Sequence, residues 1–149
     1  MIVLVCGGRD FTKKMLLDQT LDSIDQEHKI VGLVHGACKI KGKPAGADKL
    51  AAEWMDTKIK EEFHTCWLRR QACPKAYRVY GIQYNPDRWM CGYPANWDRD
   101  GKAAGPIRNK LMLDMHPGIR LVVAFSGGRG TRNMVEQASK RGIQIKEAS

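Results

Sequence analysis

No window of this 149-residue chain approaches the eighteen or so uninterrupted apolar residues of a membrane helix. The apolar start "MIVLVCGG" has no basic leader before it and no small-residue cleavage site after it, so the cytoplasm is the expected compartment and no membrane partner is expected. A disulfide framework is missing too. Five cysteines, an odd number at irregular spacings, read as reduced thiols. There is no internal repeat or low-complexity tract, which excludes a solenoid or a disordered tail. Two nucleotide fingerprints are also absent: a G-x-G-x-x-G with an acidic residue about twenty positions later, and a G-x-x-x-x-G-K-[ST]. Neither a dinucleotide dehydrogenase nor a P-loop NTPase is supported. Acidic residues are scarce beside basic ones, 16 against 25, for a net charge of +9. That surplus favours anionic partners, phosphates or nucleic acid, without choosing between them. The basic residues are spread along the chain rather than gathered in a tail, so part of the excess is ordinary surface.

What is present reads as one domain over residues 1–149. A hydrophobic fraction of 43% with 28% charged is globular, and the length suffices for a sizeable core. "MIVLVC" (Met1 to Cys6) is a continuous apolar run, as in a strand covered on both faces, and "GGRD" breaks it. Phe11, Met15, Leu17, Leu21 and Ile24 then fall close to helical spacing. "IVGLVH" (Ile30 to His35) is a second strand, "GACKIKGKPAGAD" a loop, and "DKLAAEWMDTKIKEE" a helix with Leu50, Ala51 and Trp54 inward. A third strand is expected near "EEFHTCWL". Residues from about Arg69 to Asp98, rich in breakers and without periodicity, read as an irregular insertion. Helix returns in "GPIRNKLMLDM", with Pro106 in its first turn and Ile107, Leu111 and Met115 on one face. "IRLVVAF" is the fourth strand, "RNMVEQASKRG" its helix with Gly142 as C-terminal cap, and "IQIKE" a last strand. Strands alternating with helices predict an α/β fold, Rossmann-like, with a mostly parallel sheet flanked by helices.

Ligands of open parallel sheets settle beyond the carboxyl ends of the strands. Three glycine-bearing loops follow strands here: "CGGRD", "HGACK" and "SGGRGT". Glycine lets backbone N–H groups approach an anion, and the helix that follows aims its positive end at the same place. The predicted ligand-facing set is Gly7, Gly8, Arg9 and Asp10; His35, Gly36 and Ala37; Gly46, Ala47 and Asp48; Arg108 and Asn109; and Ser126, Gly127, Gly128, Arg129, Gly130 and Thr131. Tight turns use glycine for steric reasons as well, so the weight lies on the three loops converging.

"VCGGRDF", "VHGACK…GADKLAAEW", "YPANWDRDGKAAGPIRNKLML" and "VVAFSGGRGTRNMVEQASKRGI", in this order, resemble the YspA-type, cpYpsA-related branch of the SLOG superfamily, Rossmann-like proteins of bacteria and phages. The resemblance covers most of the chain outside the insertion. It implies a nucleotide or nucleotide-derived ligand, because the superfamily includes the LOG phosphoribohydrolases, which cleave nucleoside monophosphates at the N-glycosidic bond, the DNA-processing protein DprA, and nucleotide sensors. It also implies a homo-oligomer.

LOG enzymes carry an Arg–Lys pair before the last loop, then P-G-G-x-G-T-x-x-E. Arg108 and Lys110 match the pair, and Gly127, Gly128, Gly130 and Thr131 match the loop. Ser126 stands where the proline would be and Met134 where the catalytic glutamate would be. Glu136 lies about 200° farther around the helix. Asp48 is therefore the candidate catalytic carboxylate if the protein is an enzyme; as an aspartate opening a helix, it is equally an N-terminal cap. Arg108 is expected to clamp a phosphate, its alternative being a surface ion pair.

In the insertion, His64, Cys66, Cys73 and Cys91 are metal-ligand types, but their spacings form no C-x-x-C pair, so no metal and no cofactor are expected. Trp67, Tyr77, Tyr80, Tyr84, Trp89, Tyr93 and Trp97 interleave with Arg69, Arg70, Lys75, Arg78 and Arg88. Such a mixture serves base stacking with phosphate contacts, an oligomer contact, or a small satellite core. Three functions follow: binding or sequestration of a nucleotide-derived ligand, nucleotide N-glycosidase activity, or single-stranded nucleic-acid binding of the DprA kind. The missing glutamate favours the first.

Overall fold

The computed structural model describes residues 1–61, 83–84 and 88–149. The chain runs β1 (Ile2–Cys6), α1 (Lys14–Glu27), β2 (Gly32–His35), the short strands β3 (Lys39–Ile40) and β4 (Lys43–Pro44), then α2 (Gly46–Glu61). It continues through β5 (Gln83–Tyr84), β6 (Trp89–Gly92), α3 (Trp97–Asp100), a 3-10 turn at Gly101–Ala103, α4 (Ala104–Met115), β7 (Ile119–Phe125), α5 (Arg129–Lys140) and β8 (Gln144–Ala148). The main sheet has the order β5-β6-β2-β1-β7-β8. Five of its strands are parallel, and β5 is the antiparallel edge. The α/β, Rossmann-like expectation holds.

Strand alternation divides the core into two layers. Val3, Val5, Leu33, Leu121, Val123 and Phe125 point to one face, where Leu17, Leu21 and Ile24 of α1 and Ala51, Trp54 and Met55 of α2 cover them. Leu4, Cys6, Val34, Cys91, Val122 and Ala124 point to the other, beneath Met112 and Leu113 of α4 and Met134 and Ala138 of α5. Both faces of β1 and β7 are thus apolar, which is why "IVLVC" and "LVVAF" read as continuous runs. No described helix is long and apolar enough to cross a membrane.

Three expectations change. The segment near "EEFHTCWL" lies outside the described residues apart from Glu61, which ends α2; the third parallel strand of the sheet is β6, within the stretch expected to be irregular. Its signal is faint because it has four residues, and its last position must be small: a Cβ on Gly92 would lie 2.9 Å from Cε1 of His35. On α4, Ile107 and Leu111 face solvent at 45% and 43% exposure, while Asn109, Met112 and Leu113 are buried. On α1, Met15 is exposed.

Candidate functional site

The sheet changes direction at β1: the chain leaves β1 for β2 on one side and returns as β7 on the other. A cleft opens at such a switch point, beyond the carboxyl ends of the two strands. The loops that follow them are bonded to each other, Gly8 N donating to Ser126 O at 2.9 Å. The carbonyl of Gly8 accepts from Phe11 N at 3.1 Å and from Ala47 N at 3.2 Å, which brings in the start of α2. This interlock dictates residue size. Gly46 has φ +69°, and a Cβ there would run into the Gly8 carbonyl, so both conformation and space require glycine. A Cβ on Gly7 would come within 2.5 Å of the Ala47 side chain.

Above the interlock lies a cleft of about 1200 Å³. Gly7, Gly8, Arg9, Asp10, Gly36, Ala37, Arg108 and the whole run Ser126–Thr131 line it. Cys38, Lys39, Ile40 and Lys41 from the β3 region, Pro94, Ala95 and Trp97 before and in α3, and Gly105 of α4 complete it. Of these, the sequence offered Trp97 as one of several aromatics suited to base stacking and carried Cys38 and Lys39 in the loop "HGACK"; the other five were not expected there. Among the described residues, the lining cations are Arg9, Lys39, Lys41, Arg108 and Arg129, against one carboxylate, Asp10. Its field therefore favours anions.

Helix α5 enters the cleft at Gly128 with no side-chain cap, so its first N–H groups face outward at the positive end of the helix. The glycines of this loop are not equivalent. A side chain on Gly127 would collide with Thr131 and with the Gly8 amide, whereas a Cβ on Gly128 or Gly130 would meet no described atom within 4 Å beyond its own stretch of backbone. The fold needs Gly127; among the described residues, none occupies the space left by the other two.

Arg108 is no surface ion pair. Nη1 donates to the carbonyls of Gly36 and, at 3.2 Å, Tyr93, and Nε donates to Asn109 Oδ1 at 2.9 Å. Asn109 in turn donates from Nδ2 to Gly130 O and Asn133 Oδ1, both at 3.1 Å. Arg108 is thus held between β2, β6 and α5 at the cleft wall.

Five members of the predicted set stand behind the lining. Gly46 and Ala47 belong to the interlock, and Asn109 to the α4–α5 contact. His35 is buried, its Nδ1 accepting from Ala37 N at 3.1 Å, and burial pushes its pKa below the usual imidazole value, with Asp48 opposing and Arg108 assisting. It faces a separate cavity of about 280 Å³, between α2 and β6. Asp48 is 3% exposed and does not cap α2; its Oδ2 accepts from Cys38 N at 3.0 Å, ten residues back. It occupies the first turn of α2 and fastens the loop after β2. Burial, then the Asp48 carboxylate, push the Cys38 thiol up to about 12 against the opposing Arg108. Met134, at the position of the LOG glutamate, is fully buried in the core, and Glu136 is exposed.

Of the insertion's aromatics, Tyr93 hydrogen-bonds through its hydroxyl to His116 Nε2 at 2.7 Å, and Trp89 stacks on the same ring with centroids 5.5 Å apart. Arg88 is buried against Asp25, with Nη1 donating to Oδ1 at 2.7 Å. Tyr93 and Trp89 join the core layer beneath α4 and α5, Arg88 is held against α1, and Trp97 stands in the cleft. Cys91 is buried in β6, and no His, Cys, Asp and Glu cluster suited to a metal occurs among the described residues. The expectations for His64, Cys66, Trp67, Arg69, Arg70, Cys73, Lys75, Tyr77, Arg78 and Tyr80, and for the Tyr84 side chain, lie outside the described residues.

Comparison with known proteins bears on this arrangement. The Gene 61 protein of Mycobacterium phage D29 is 27% identical over 146 residues, covering 96% of this chain and 92% of its own. No solved structure matches. Residues 1–59, which contain the first two cleft loops and the start of α2, match the model of the YspA, cpYpsA-related SLOG family. Such a match points to a nucleotide-related function in general and names no ligand. Over those residues, which build the β1 loop, the β2 loop and the start of α2, the chain is similar to the YspA-type SLOG family.

Proposed function

We propose that the cleft binds and sequesters a nucleotide-derived small molecule, with a phosphate seated on the N–H groups that open α5. The observation that carries this reading is the pair Gly128 and Gly130. Both sit at the uncapped start of α5, at the mouth of a cation-rich cleft, with open space where their side chains would be. A phosphate fills such a space because it must come within hydrogen-bond distance of the backbone. Arg9 and Arg129, both exposed, are the mobile cations for it, and Arg108 the fixed one.

Neither position expected to carry a catalytic carboxylate, that of Met134 or that of Asp48, lines the cleft, which supports binding without cleavage. N-glycosidic hydrolysis needs one beside the reacting sugar to stabilise the oxocarbenium-like centre or activate water. The LOG position holds a buried methionine, and Asp48, itself buried, accepts from the Cys38 amide behind the wall. Among the described residues, Asp10 is the carboxylate that lines the cleft, with Oδ1 close over Gly8. The test is incubation with each nucleoside monophosphate followed by chromatography. Recovery of intact nucleotide is expected; free base whose release depends on Asp10 or Asp48 makes the protein an enzyme.

A further inference from the structure

We infer that Trp97 is a stacking platform for an aromatic base, so that the ligand of the cleft is a nucleotide rather than a bare sugar phosphate or a simple anion. This rests on the reading of the cleft given above and specifies its ligand class. Among the described residues, the exposed large apolar side chains are Met15, Ile40, Trp97, Ile107 and Leu111. Of these, Ile40 and Trp97 line the cleft. An indole left 52% exposed forgoes the burial that a side chain of its size would gain in a core.

The indole hangs from a pinned backbone. Trp97 opens α3, and the preceding Asn96 caps that turn, its Oδ1 accepting from Arg99 N at 3.0 Å. One edge of the ring rests against α4 at Gly105, where a Cβ would stand 3.5 Å from Cη2. Four residues farther along α4, Asn109 bonds to Gly130 O. Four residues are about 6 Å of helix rise, roughly the span of one sugar ring, between the level of the indole and that of the α5 terminus. The lining therefore offers two kinds of contact: the exposed indole of Trp97 beside the uncharged Pro94 and Ala95, and the cations with the glycine loop of α5. An aromatic base joined through a sugar to a phosphate uses both, since stacking accepts any base face while the N–H groups and arginines take the anion.

The test titrates wild type, Trp97→Ala, Trp97→Phe and Gly130→Ala by calorimetry with the four common nucleoside 5′-monophosphates and with ribose 5-phosphate. Trp97→Ala is expected to weaken the nucleotides on the order of 5- to 150-fold, with ribose 5-phosphate unchanged and Trp97→Phe retaining most of the affinity. Equal nucleotide affinity in Trp97→Ala and wild type, with Gly130→Ala impaired, overturns the stacking role alone. So does an equal loss for ribose 5-phosphate. Wild type that binds none of the nucleotides overturns the reading of the cleft and the stacking role together.

Discussion

The amide of Gly8 donates to the carbonyl of Ser126 at 2.9 Å, joining the loop after the first strand to the loop after β7 across 118 residues of sequence. That single bond sets the cleft wall, because it holds Gly127 and the α5 terminus against the β1 loop. Gly127→Ala therefore strikes the fold. Its Cβ would overlap Thr131 and press on the Gly8 amide, at an expected cost of about 1–3 kcal/mol. Gly130→Ala has free space and lies in the first turn of α5, so it should leave stability unchanged or raise it by up to ~1 kcal/mol. Denaturant titration of the two variants decides; equal destabilisation would show that the two glycines serve the same purpose.

Asp48 predicts a contrast between two substitutions. Alanine leaves the Cys38 amide without its acceptor and should cost about 1–3 kcal/mol, while asparagine keeps an acceptor oxygen and should cost less. Both remove the charge that helps to raise the Cys38 thiol, so Cys38 should alkylate faster in either variant than in wild type. Peptide mapping after iodoacetamide treatment at pH 8 reads this directly. Unchanged labelling of Cys38 would mean that the Asp48 carboxylate does not govern the thiol.

His35 sets an acid limit. Its pKa is depressed in the fold, chiefly by burial, so the folded state holds it neutral while the unfolded chain binds a proton below about 6.5. The stability due to this difference is present above pH 6.5 and is lost as pH falls below it toward the folded value. A fall in unfolding free energy between about pH 7 and 5 is expected, and His35→Gln should flatten that part of the profile. A profile in the variant parallel to wild type would assign the acid sensitivity elsewhere.

Much of this arrangement is legible in the sequence, and the exceptions have physical causes. "IVLVC" and "LVVAF" announce strands covered on both faces, and the glycines after them announce close loops. β6 is silent because four residues ending in a glycine that must clear His35 carry no periodicity. An aspartate near the start of a helix reads as a cap, yet Asp48 bonds across to Cys38, and only the tertiary path of the loop reveals it. Asn109 looks like a ligand group beside Arg108; helical rotation turns it toward α5 instead. Lys39, Ile40 and Lys41 belong to a β3–β4 hairpin that Ala37 precedes at φ +50° and that turns at Lys41, φ +51°, non-glycine conformations that composition does not signal.

Salt separates the small ligand from nucleic acid. Polyanion binding driven by counterion release weakens by orders of magnitude as salt rises, whereas a nucleotide held by directed bonds in a cleft loses far less. A shallow dependence for mononucleotides is expected between 50 and 200 mM salt, the range over which multi-phosphate contacts lose about 10³- to 10⁵-fold. Tight oligonucleotide binding with a steep slope, and no mononucleotide binding, would favour the nucleic-acid reading.

The most direct measurement is calorimetric titration of nucleoside monophosphates into wild type and Gly130→Ala, with thermal unfolding of both recorded alongside. The account predicts saturable binding by wild type. It predicts binding at least tenfold weaker in Gly130→Ala, because the added methyl occupies the space of the phosphate, while the variant melts at or above the wild-type temperature. Absence of nucleotide binding by wild type, or equal affinity in a stably folded Gly130→Ala, would contradict a phosphate seat at the start of α5.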